Sequence, residues 1–238
     1  MLTKFLNLLF PSKCPICGSD SDNYNYNPLC TACWSRIEKY SNPKCDICGI
    51  PLTSYYSKIC GECLKERPPF SKVIYYGIYK GKNIDKNDPL SVAIRFFKYK
   101  GIKRLSRPLS MLVSSLDIPK TNAIVPVPLH KKRLLSREFN QSALIAHHLS
   151  SILKTRLLLN NLFRVKNTLP QVLCKDKRER QFNVKGAFVA KDVKGLELLL
   201  IDDIVTEKST ITECSKTLLD AGAKNIYVVA LAHSMPKE

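Results

Sequence analysis

The chain has 238 residues, of which 45% are hydrophobic and 24% charged, a composition typical of globular proteins that bury a sizeable core. Its formal charge of +18 favours polyanionic partners such as nucleic acid, anionic lipid or phosphorylated ligands, although charge that merely keeps the protein in solution is the simpler alternative. No apolar run reaches the length that a membrane-spanning helix needs, so we expect no membrane span.

Residues 1–10 are rich in leucine and phenylalanine but lack a basic leader and a small-residue cleavage site. We therefore expect a short helix that packs on the body of the protein, rather than a signal peptide or a membrane anchor. Without a secretion signal, a cytoplasmic location is expected.

The cysteines are concentrated near the N-terminus, where eight of the ten precede residue 64. They form four pairs with two residues between partners, and the gaps between successive pairs are 12, 11 and 11 residues: Cys14/Cys17, Cys30/Cys33, Cys45/Cys48 and Cys60/Cys63. A turn with this spacing aims both thiolates at one metal, and two such turns complete a tetrahedral zinc cage. Gly18 and Gly49 follow two of the pairs and suit the positive φ that such tight turns need.

The spacing leaves the pairing of these turns open. Sequential use gives one site from the first two pairs and a second from the last two, and an interleaved arrangement is the alternative. A disulfide scaffold is the alternative to zinc, but it is less expected in a chain without a secretion signal. Four-cysteine sites have no open position, so we predict two structural Zn ions without metal chemistry. Cys174 and Cys214 stand apart and are interpreted as ordinary buried thiols.

The pattern of the chain changes at residues 67–70, where the cysteine pairs stop and alternating strands and helices begin. We predict a zinc-ribbon module over 1–68 and an α/β domain over 69–238. Apolar periodicity predicts strands at 73–79, 123–127, 196–201 and 226–232, and helices at 90–99, 105–116, 139–153 and 210–221. This alternation predicts a mainly parallel, doubly wound sheet, whereas 157–189 has a weaker pattern and is interpreted as an irregular hood with a mobile loop.

The most informative functional pattern is an apolar strand followed by Asp202 and Asp203, a hydroxyl-rich loop and a helix. Ligands of open α/β sheets bind beyond the carboxyl ends of the strands, and a helix N-terminus offers N–H groups and a positive dipole end to a phosphate. The two carboxylates are placed to accept hydrogen bonds from ribose hydroxyls, directly or through a metal, and Thr206, Ser209 and Thr210 supply hydroxyl donors. The alternative is a charged strand end with an ordinary helix cap.

This stretch resembles the phosphoribosyl-diphosphate loop of type I phosphoribosyltransferases, and nearly the whole chain resembles the ComF family of competence proteins. Further segments support the second resemblance: Val125-Pro126-Val127-Pro128-Leu129-His130, Arg137-Glu138-Phe139-Asn140-Gln141, Pro170-Gln171, residues 180–188, residues 96–101 and the eight cysteines. The resemblance implies a type I phosphoribosyltransferase-like parallel sheet with helices on both faces, preceded by a double zinc ribbon. It also implies phosphoribosyl diphosphate with Mg²⁺ as the ligand.

The resemblance assigns roles to individual residues. Asp202 and Asp203 would meet the ribose 2′- and 3′-hydroxyls as the catalytic acids, and Arg137 and Arg180 are candidates for the diphosphate. The residues expected at the 5-phosphate are Thr206, Lys208, Ser209 and Thr210.

Three residues depart from the family pattern. Lys208 replaces the loop glycine, Glu207 replaces its second threonine, and Glu138 replaces the glycine of the Arg-Gly-Phe-Asn segment. Glycine at such places lets the backbone approach a phosphate or adopt positive φ. Direct contact between Lys208 and the phosphate is one way to compensate, whereas Glu207 would repel it if it faced inward, so a weak or degenerate pocket stays open.

Basic residues near aromatic ones suggest a second ligand. Such residues suit single-stranded DNA, because the charges follow the phosphates and the rings stack on bases. They form three clusters, with Phe96, Phe97 and Tyr99 beside the first: Lys98, Lys100, Lys103, Arg104 and Arg107; Lys131, Lys132, Arg133 and Arg137; Lys175, Lys177, Arg178 and Arg180. The alternative places Phe96 and Phe97 in the core and the charges on a solvated face.

Two functions are therefore carried forward. The first is a phosphoribosyltransferase that acts in DNA uptake and natural transformation on an acceptor that the sequence does not identify. The second is a non-catalytic, nucleic-acid-binding competence factor whose pocket is regulatory or degenerate. The ComF resemblance implies single-stranded DNA and a competence helicase as partners of either.

Overall fold

The structure is a computed structural model that describes residues 12–81, 87–168, 177–206 and 208–235, without the side chains at 177, 178, 180 and 181. Its helices are α1 (Thr31–Trp34), α2 (Gly61–Lys65), α3 (Pro89–Tyr99), α4 (Ser106–Ser114), α5 (Lys131–Arg137), α6 (Gln141–Leu153), α7 (Lys177–Val184) and α8 (Ser209–Asp220). Its strands are β1 (Lys72–Tyr79), β2 (Ala123–Pro126), β3 (Arg156–Leu157), β4 (Leu162–Arg164), β5 (Phe188–Ala190), β6 (Glu197–Val205) and β7 (Asn225–Ser234). The helix expected over residues 1–10 lies outside the described residues.

Five of the strands form one sheet in the order β1-β7-β6-β2-β3, and every neighbouring pair in it is parallel. This confirms the predicted parallel sheet. β4 and β5 form a separate antiparallel pair. Strands that are buried on both faces read as continuous apolar runs, which explains the run from Leu198 to Ile201.

Alternate side chains of the strands enter two different cores. Leu198 and Leu200 pack on one face of the sheet with α8, the hood and the second ribbon, which contains the turns from Cys45 to Cys63. Leu199 and Ile201 pack on the other face, which the first ribbon, with the turns from Cys14 to Cys33, also contacts. The second core is built with α3, α4, α6 and the first ribbon. Helices therefore cover both faces, as predicted, and each ribbon packs against a different face.

The ribbon module also contacts the outer edge of β1. The N–H of Tyr40 donates to the carbonyl of Tyr76 at 2.8 Å, and the N–H of Val73 donates to the carbonyl of Ile47 at 2.7 Å. The Tyr75 hydroxyl, which is fully buried, donates to the carbonyl of Gly49 at 2.8 Å. The domain boundary predicted after residue 68 falls between α2 and β1 and stays a prediction.

Two parts of the structure differ from the sequence prediction. β6 continues four residues beyond Ile201, so Asp202 and Asp203 lie within the strand, with Asp202 opposite Ala230 of β7. The stretch predicted to be irregular contains β3, β4, α7 and β5, while residues 169–176, where part of its loop falls, are outside the description. Within the described ranges, no helix has both the length and the apolar character that crossing a bilayer requires.

Candidate functional site

Each ribbon brings four cysteine sulfurs together. The first set is Cys14, Cys17, Cys30 and Cys33 and the second is Cys45, Cys48, Cys60 and Cys63, and within each set the sulfurs lie within 4.8 Å of one another. One sulfur–sulfur distance in each set, Cys17–Cys30 and Cys48–Cys60, is 3.6 Å. A tetrahedron with Zn–S bonds of about 2.3 Å has sulfur–sulfur distances of roughly 3.8 Å. The sets suit two structural zinc ions, the pairing is sequential, and none of the described cysteines forms a disulfide.

The two predicted glycines shape these turns. Gly18 has φ 76° and Gly49 has φ 73°, in the left-handed region. Their N–H groups donate to the carbonyls of Cys14 and Cys45, each at 2.9 Å, which closes each turn and turns both thiols inward. Peptide N–H groups also point at sulfur, since the N–H of Cys60 lies 3.3 Å from the Cys45 sulfur.

The thiols within each set differ in acidity. The hydroxyl and N–H of Ser19 hold the pKa of Cys17 down to about 6. Burial raises the pKa of Cys45, but N–H donors led by that of Cys60 outweigh it and bring the pKa to about 7. Burial and neighbouring sulfurs raise the pKa of Cys33 to about 12. A zinc ion binds thiolates, so metal loading of these sets is coupled to the release of protons.

The acid strand, the loop and the following helix line a pocket that is partly open to solvent. It lies between the end of β6 and the start of α8. Five of the predicted site residues line it: Asp202, Thr206, Lys208, Ser209 and Thr210. The first N–H groups of a helix have no intrahelical acceptor, so the pocket adjoins a source of positive potential. Glu207 and the side chain of Arg180 lie outside the described residues.

The two acids have different surroundings, although both contact helices on the same face of the sheet. Asp203 is buried, and its two carboxylate oxygens lie 3.0 and 2.9 Å from Nζ of Lys98. Asp202 accepts a hydrogen bond from the Ser142 hydroxyl at 3.1 Å and another from the N–H of Asp203 at 2.8 Å. Burial and the neighbouring charge of Asp203 raise the pKa of Asp202 to about 7. Asp203 is thus an ion-paired carboxylate, while Asp202 is poised between its two protonation states.

Lys98 is a site residue that the sequence analysis placed elsewhere. It was assigned to a basic and aromatic cluster for DNA, but its side chain is only 17% exposed and its ammonium pairs with Asp203. Burial lowers its pKa, yet the Asp203 carboxylate outweighs this and the pKa is raised. Phe97 is fully buried and Phe96 packs against the core, so the core alternative is correct for both rings. The missed signal is the spacing of four residues between Ile94 and Lys98. It places both on one face of α3, and Ile94 is buried, so Lys98 points inward as well.

The segment after α5 orients the groups around the acids. The side-chain oxygen of Asn140 accepts from the N–H groups of Ser142 and Ala143 at 3.0 and 3.4 Å, while its amide donates to the carbonyl of Val127 at 3.0 Å. This cap begins α6 beside the end of β2 and places the Ser142 hydroxyl on Asp202.

Arg137 belongs to the same neighbourhood. Its guanidinium carbon lies 5.7 Å from the centre of the Tyr99 ring, and Nη1 lies 3.4 Å from the side-chain oxygen of Gln141. The Gln141 amide in turn donates to the carbonyl of Lys98 at 3.4 Å. Arg137 is therefore joined to the acid pair through Gln141 and Lys98, and its assignment to a diphosphate stays a prediction.

The two residues that replace family glycines keep a backbone conformation typical of glycine. Lys208 has φ 60° and Glu138 has φ 64°, both left-handed. The ammonium of Lys208 lies 2.7 Å from a carboxylate oxygen of Glu62 in α2, a partner that the sequence pattern did not suggest. These positions thus retain a conformation that usually requires glycine, and at Lys208 the side chain makes a link to the second ribbon.

Comparison with protein-family patterns agrees with the two four-cysteine ribbons. The pattern of the double zinc ribbon domain matches residues 5–64. Among solved structures, the glutamine phosphoribosylpyrophosphate amidotransferase of Bacillus subtilis, complexed with ADP and GMP, aligns over 62% of this chain and 28% of that chain, with 16% identity and a TM-score of 0.37.

Two curated relatives match over most of their length. The DNA utilization protein YhgH of Escherichia coli O6:H1 is 30% identical over 218 residues, with 87% of this chain and 91% of that protein covered. Competence protein F of Haemophilus influenzae is 34% identical over 219 residues, with the same shares covered. Identity at this level over nearly the full length of both proteins, together with the double zinc ribbon, establishes that the chain belongs to the ComF family.

Proposed function

We propose that this protein binds phosphoribosyl diphosphate with Mg²⁺ in the pocket between β6 and α8, binds single-stranded DNA, and acts in the cytoplasm in DNA uptake. The observation that carries the proposal is the pocket, where the Asp202 carboxylate, three hydroxyls and the first turn of a 12-residue helix face one space. The names of the two relatives, one a competence protein and one a DNA utilization protein, support the role in DNA uptake.

The pocket offers a complementary group to each part of such a ligand. The N–H groups at the start of α8, with the hydroxyls of Thr206, Ser209 and Thr210, suit the 5-phosphate. The Asp202 carboxylate suits a ribose hydroxyl as a hydrogen-bond acceptor. Mg²⁺ is usually held by one or two carboxylates together with substrate phosphates, so one accessible acid and a diphosphate are enough to retain it.

Isothermal titration with phosphoribosyl diphosphate and MgCl₂ tests ligand binding. Asp202→Asn keeps the shape of the side chain but removes the charge that attracts the ribose hydroxyls and the metal, so we expect binding to weaken by at least tenfold. Asp220→Asn, at the exposed far end of α8, is the matched control and should bind like the wild type. Absence of binding heat with the wild type, or equal affinity in the two variants, would refute the proposal.

A binding protein without turnover is the second candidate function, and two contacts favour it. Lys98 already neutralises Asp203, and Glu62 already pairs with Lys208, so both groups meet a ligand with part of their charge compensated. A coupled assay for released diphosphate distinguishes the candidates, because transfer of the phosphoribosyl group liberates diphosphate. Saturable binding without diphosphate release, with and without single-stranded DNA, supports the non-catalytic candidate.

Tyr99 lies where an exposed ring and positive charges combine in a way that suits single-stranded DNA. Tyr99 is 55% exposed, the Arg137 guanidinium lies over its ring, and the exposed Lys100 follows it. Base stacking on an aromatic ring contributes about 1–3 kcal/mol per base, so we expect Tyr99→Ala to weaken oligonucleotide binding by about five- to 150-fold. Fluorescence anisotropy with labelled oligo-dT should also show steep salt dependence.

Lys216→Ala removes an exposed charge from α8, on the opposite face of the sheet, and is the control for loss of charge alone. A wild-type protein that does not bind the oligonucleotide at low salt would exclude the DNA half of the proposal. Equal losses of oligonucleotide affinity in Tyr99→Ala and Lys216→Ala would exclude stacking of a base on the Tyr99 ring.

A further inference from the structure

We infer that the second zinc ribbon positions the phosphate loop, whose described residues are Thr206 and Lys208, through the Glu62–Lys208 ion pair. Zinc in this ribbon and a phosphorylated ligand in the pocket therefore stabilise each other. The ligand half of this inference rests on the proposed function. Glu62 is then a positioning residue of the pocket, although it belongs to a different module of the chain.

The ion pair connects the second cysteine set to the pocket of the α/β domain. Glu62 lies in α2 between Cys60 and Cys63, two cysteines of the second set, and Lys208 lies between β6 and α8 at the pocket. Its Nζ is 2.7 Å from the Glu62 carboxylate, and the side chains are 16% and 52% exposed for Lys208 and Glu62. The lysine is thus largely enclosed at the contact between ribbon and loop, where an ion pair is less screened by solvent than on an open surface.

The contact acts on the backbone that would hold the phosphate. Lys208 is the N-cap of α8 and has a left-handed backbone, and its carbonyl accepts from the N–H of Thr212 at 2.7 Å in the first turn. A residue with a β-carbon occupies this conformation at a cost, so it persists only where the surroundings hold it. Anchoring the side chain on Glu62 holds it, and the N–H groups of the loop keep their direction.

The charge of the second metal site acts on the same ammonium. Four thiolates around Zn²⁺ leave a net charge of −2, and the ammonium of Lys208 is held beside this site because its partner Glu62 lies between Cys60 and Cys63. Groups in contact with the ligands of a metal tune its affinity. Loss of the metal disrupts α2, which carries Glu62, and therefore releases the loop. By linkage, a ligand that fixes the loop must retain the metal.

The first ribbon provides an internal comparison. It carries the same kind of four-cysteine set but packs on the opposite face of the sheet, with Leu29 and Trp34 against the core there. Coupling through Glu62 and Lys208 predicts that changes at these residues alter metal release from the second cysteine set and leave metal release from the first set unchanged.

Metal release can be followed for each ribbon by alkylating the whole protein in the presence of a chelator and quantifying modified cysteines by mass spectrometry. We expect Glu62→Gln and Lys208→Met each to accelerate modification of Cys48 and Cys63 by about one and a half- to fivefold, the range of a single partly exposed ion pair. The double variant should be no faster than the faster single variant, because both remove one contact. Modification of Cys14 and Cys17 should not change.

Glu66→Gln is the matched control, because it removes an exposed acid directly after the same short helix. It should behave like the wild type. Equal acceleration in Glu66→Gln and Glu62→Gln, or additive effects in the double variant, would mean that net charge or general loosening is responsible, and the inference would fall.

The coupling is then tested with phosphoribosyl diphosphate and MgCl₂. Ligand should slow modification of Cys48 and Cys63 in the wild type and in Glu66→Gln, and this protection should be lost in Glu62→Gln and Lys208→Met. Calorimetry should show one and a half- to fivefold weaker binding to Glu62→Gln. Tighter binding would identify Glu62 as a competitor of the phosphate and would overturn the inference.

Failure of the proposed function has a different signature. A wild-type protein without binding heat removes the ligand half of the coupling together with the proposed function. The release rates without ligand then still decide whether Glu62 and Lys208 join the second ribbon to the loop.

Discussion

Lys98 of α3 and Asp203 of β6 form an ion pair in which the ammonium lies 3.0 and 2.9 Å from the two carboxylate oxygens. Both side chains are mostly enclosed, at 17% and 9% exposure. The pair fixes the second acid of the motif in one orientation and leaves Asp202 as the acid that faces the pocket.

Removal of one partner should therefore be costly. We expect Lys98→Met to lower the free energy of unfolding by about 3 kcal/mol, because it leaves the buried Asp203 carboxylate uncompensated. The double variant Lys98→Met/Asp203→Asn should recover most of this loss, since it removes both charges. Urea unfolding measures these differences, with the exposed neighbour Lys100→Met as the control. A Lys98→Met protein as stable as Lys100→Met would contradict the ion pair.

Asp202 should make stability depend on pH. Its folded pKa of about 7 lies above the ordinary value, so the folded state binds more protons than the unfolded state between about pH 4 and pH 7. The free energy of unfolding should fall by up to about 1.4 kcal/mol per pH unit as the pH rises through this window. Asp202→Asn should remove this component, and the difference between the two proteins isolates it from other titrating groups. Parallel curves would mean that burial does not shift this carboxyl.

Zinc content should follow the two cysteine sets. We expect native mass spectrometry to find two zinc ions per wild-type chain and one in Cys48→Ser, which loses one of four sulfur ligands. Cys214→Ser changes a buried cysteine outside both sets and should keep two. Hydrogen exchange should show that Cys48→Ser loosens residues 45–65 and leaves the first ribbon protected.

Position 138 should distinguish glycine from alanine. At φ 64° a β-carbon costs about 1 kcal/mol or more, so Glu138→Gly should be more stable than Glu138→Ala by about that amount. The order is opposite to that expected in an ordinary helix interior, where alanine is better. Thermal unfolding of the two variants tests this. The reference pair is Glu179→Gly and Glu179→Ala, at an exposed position of α7, where the alanine variant should be the more stable. An equal or reversed order at 138 would contradict the left-handed backbone.

Most of the regular fold could be predicted because it depends on local periodicity. The strand predicted at 226–232 extends over Asn225–Ser234, and the helix predicted at 90–99 is Pro89–Tyr99. β6 was predicted too short, because two aspartates end its apolar run although the backbone pairing with β7 continues. The short strands between 156 and 190 depend on distant partners and carry little pattern of their own.

The site was predicted in part for the same reason. Asp202, Thr206 and Thr210 follow one another along the chain, so the motif was visible in the sequence. Lys98 is 105 residues from Asp203, and Glu62 is 146 residues from Lys208. Such pairs depend on how the sheet places its helices and ribbons, which no local pattern encodes. A lysine in place of a glycine was the only local sign of the partner that Lys208 has in Glu62.

The hydrogen bonds from the ribbon module to β1 have a consequence for the metal-depleted protein. β1 is an edge strand of the sheet, and backbone groups of the ribbon module form hydrogen bonds to its outer side at Val73 and Tyr76. If chelation unfolds the ribbons, this edge presents unpaired N–H and C=O groups to other molecules and becomes a template for strand addition. Zinc would then act as a safeguard against self-association, and metal-depleted samples should aggregate through β1 while their α/β sheet is still folded.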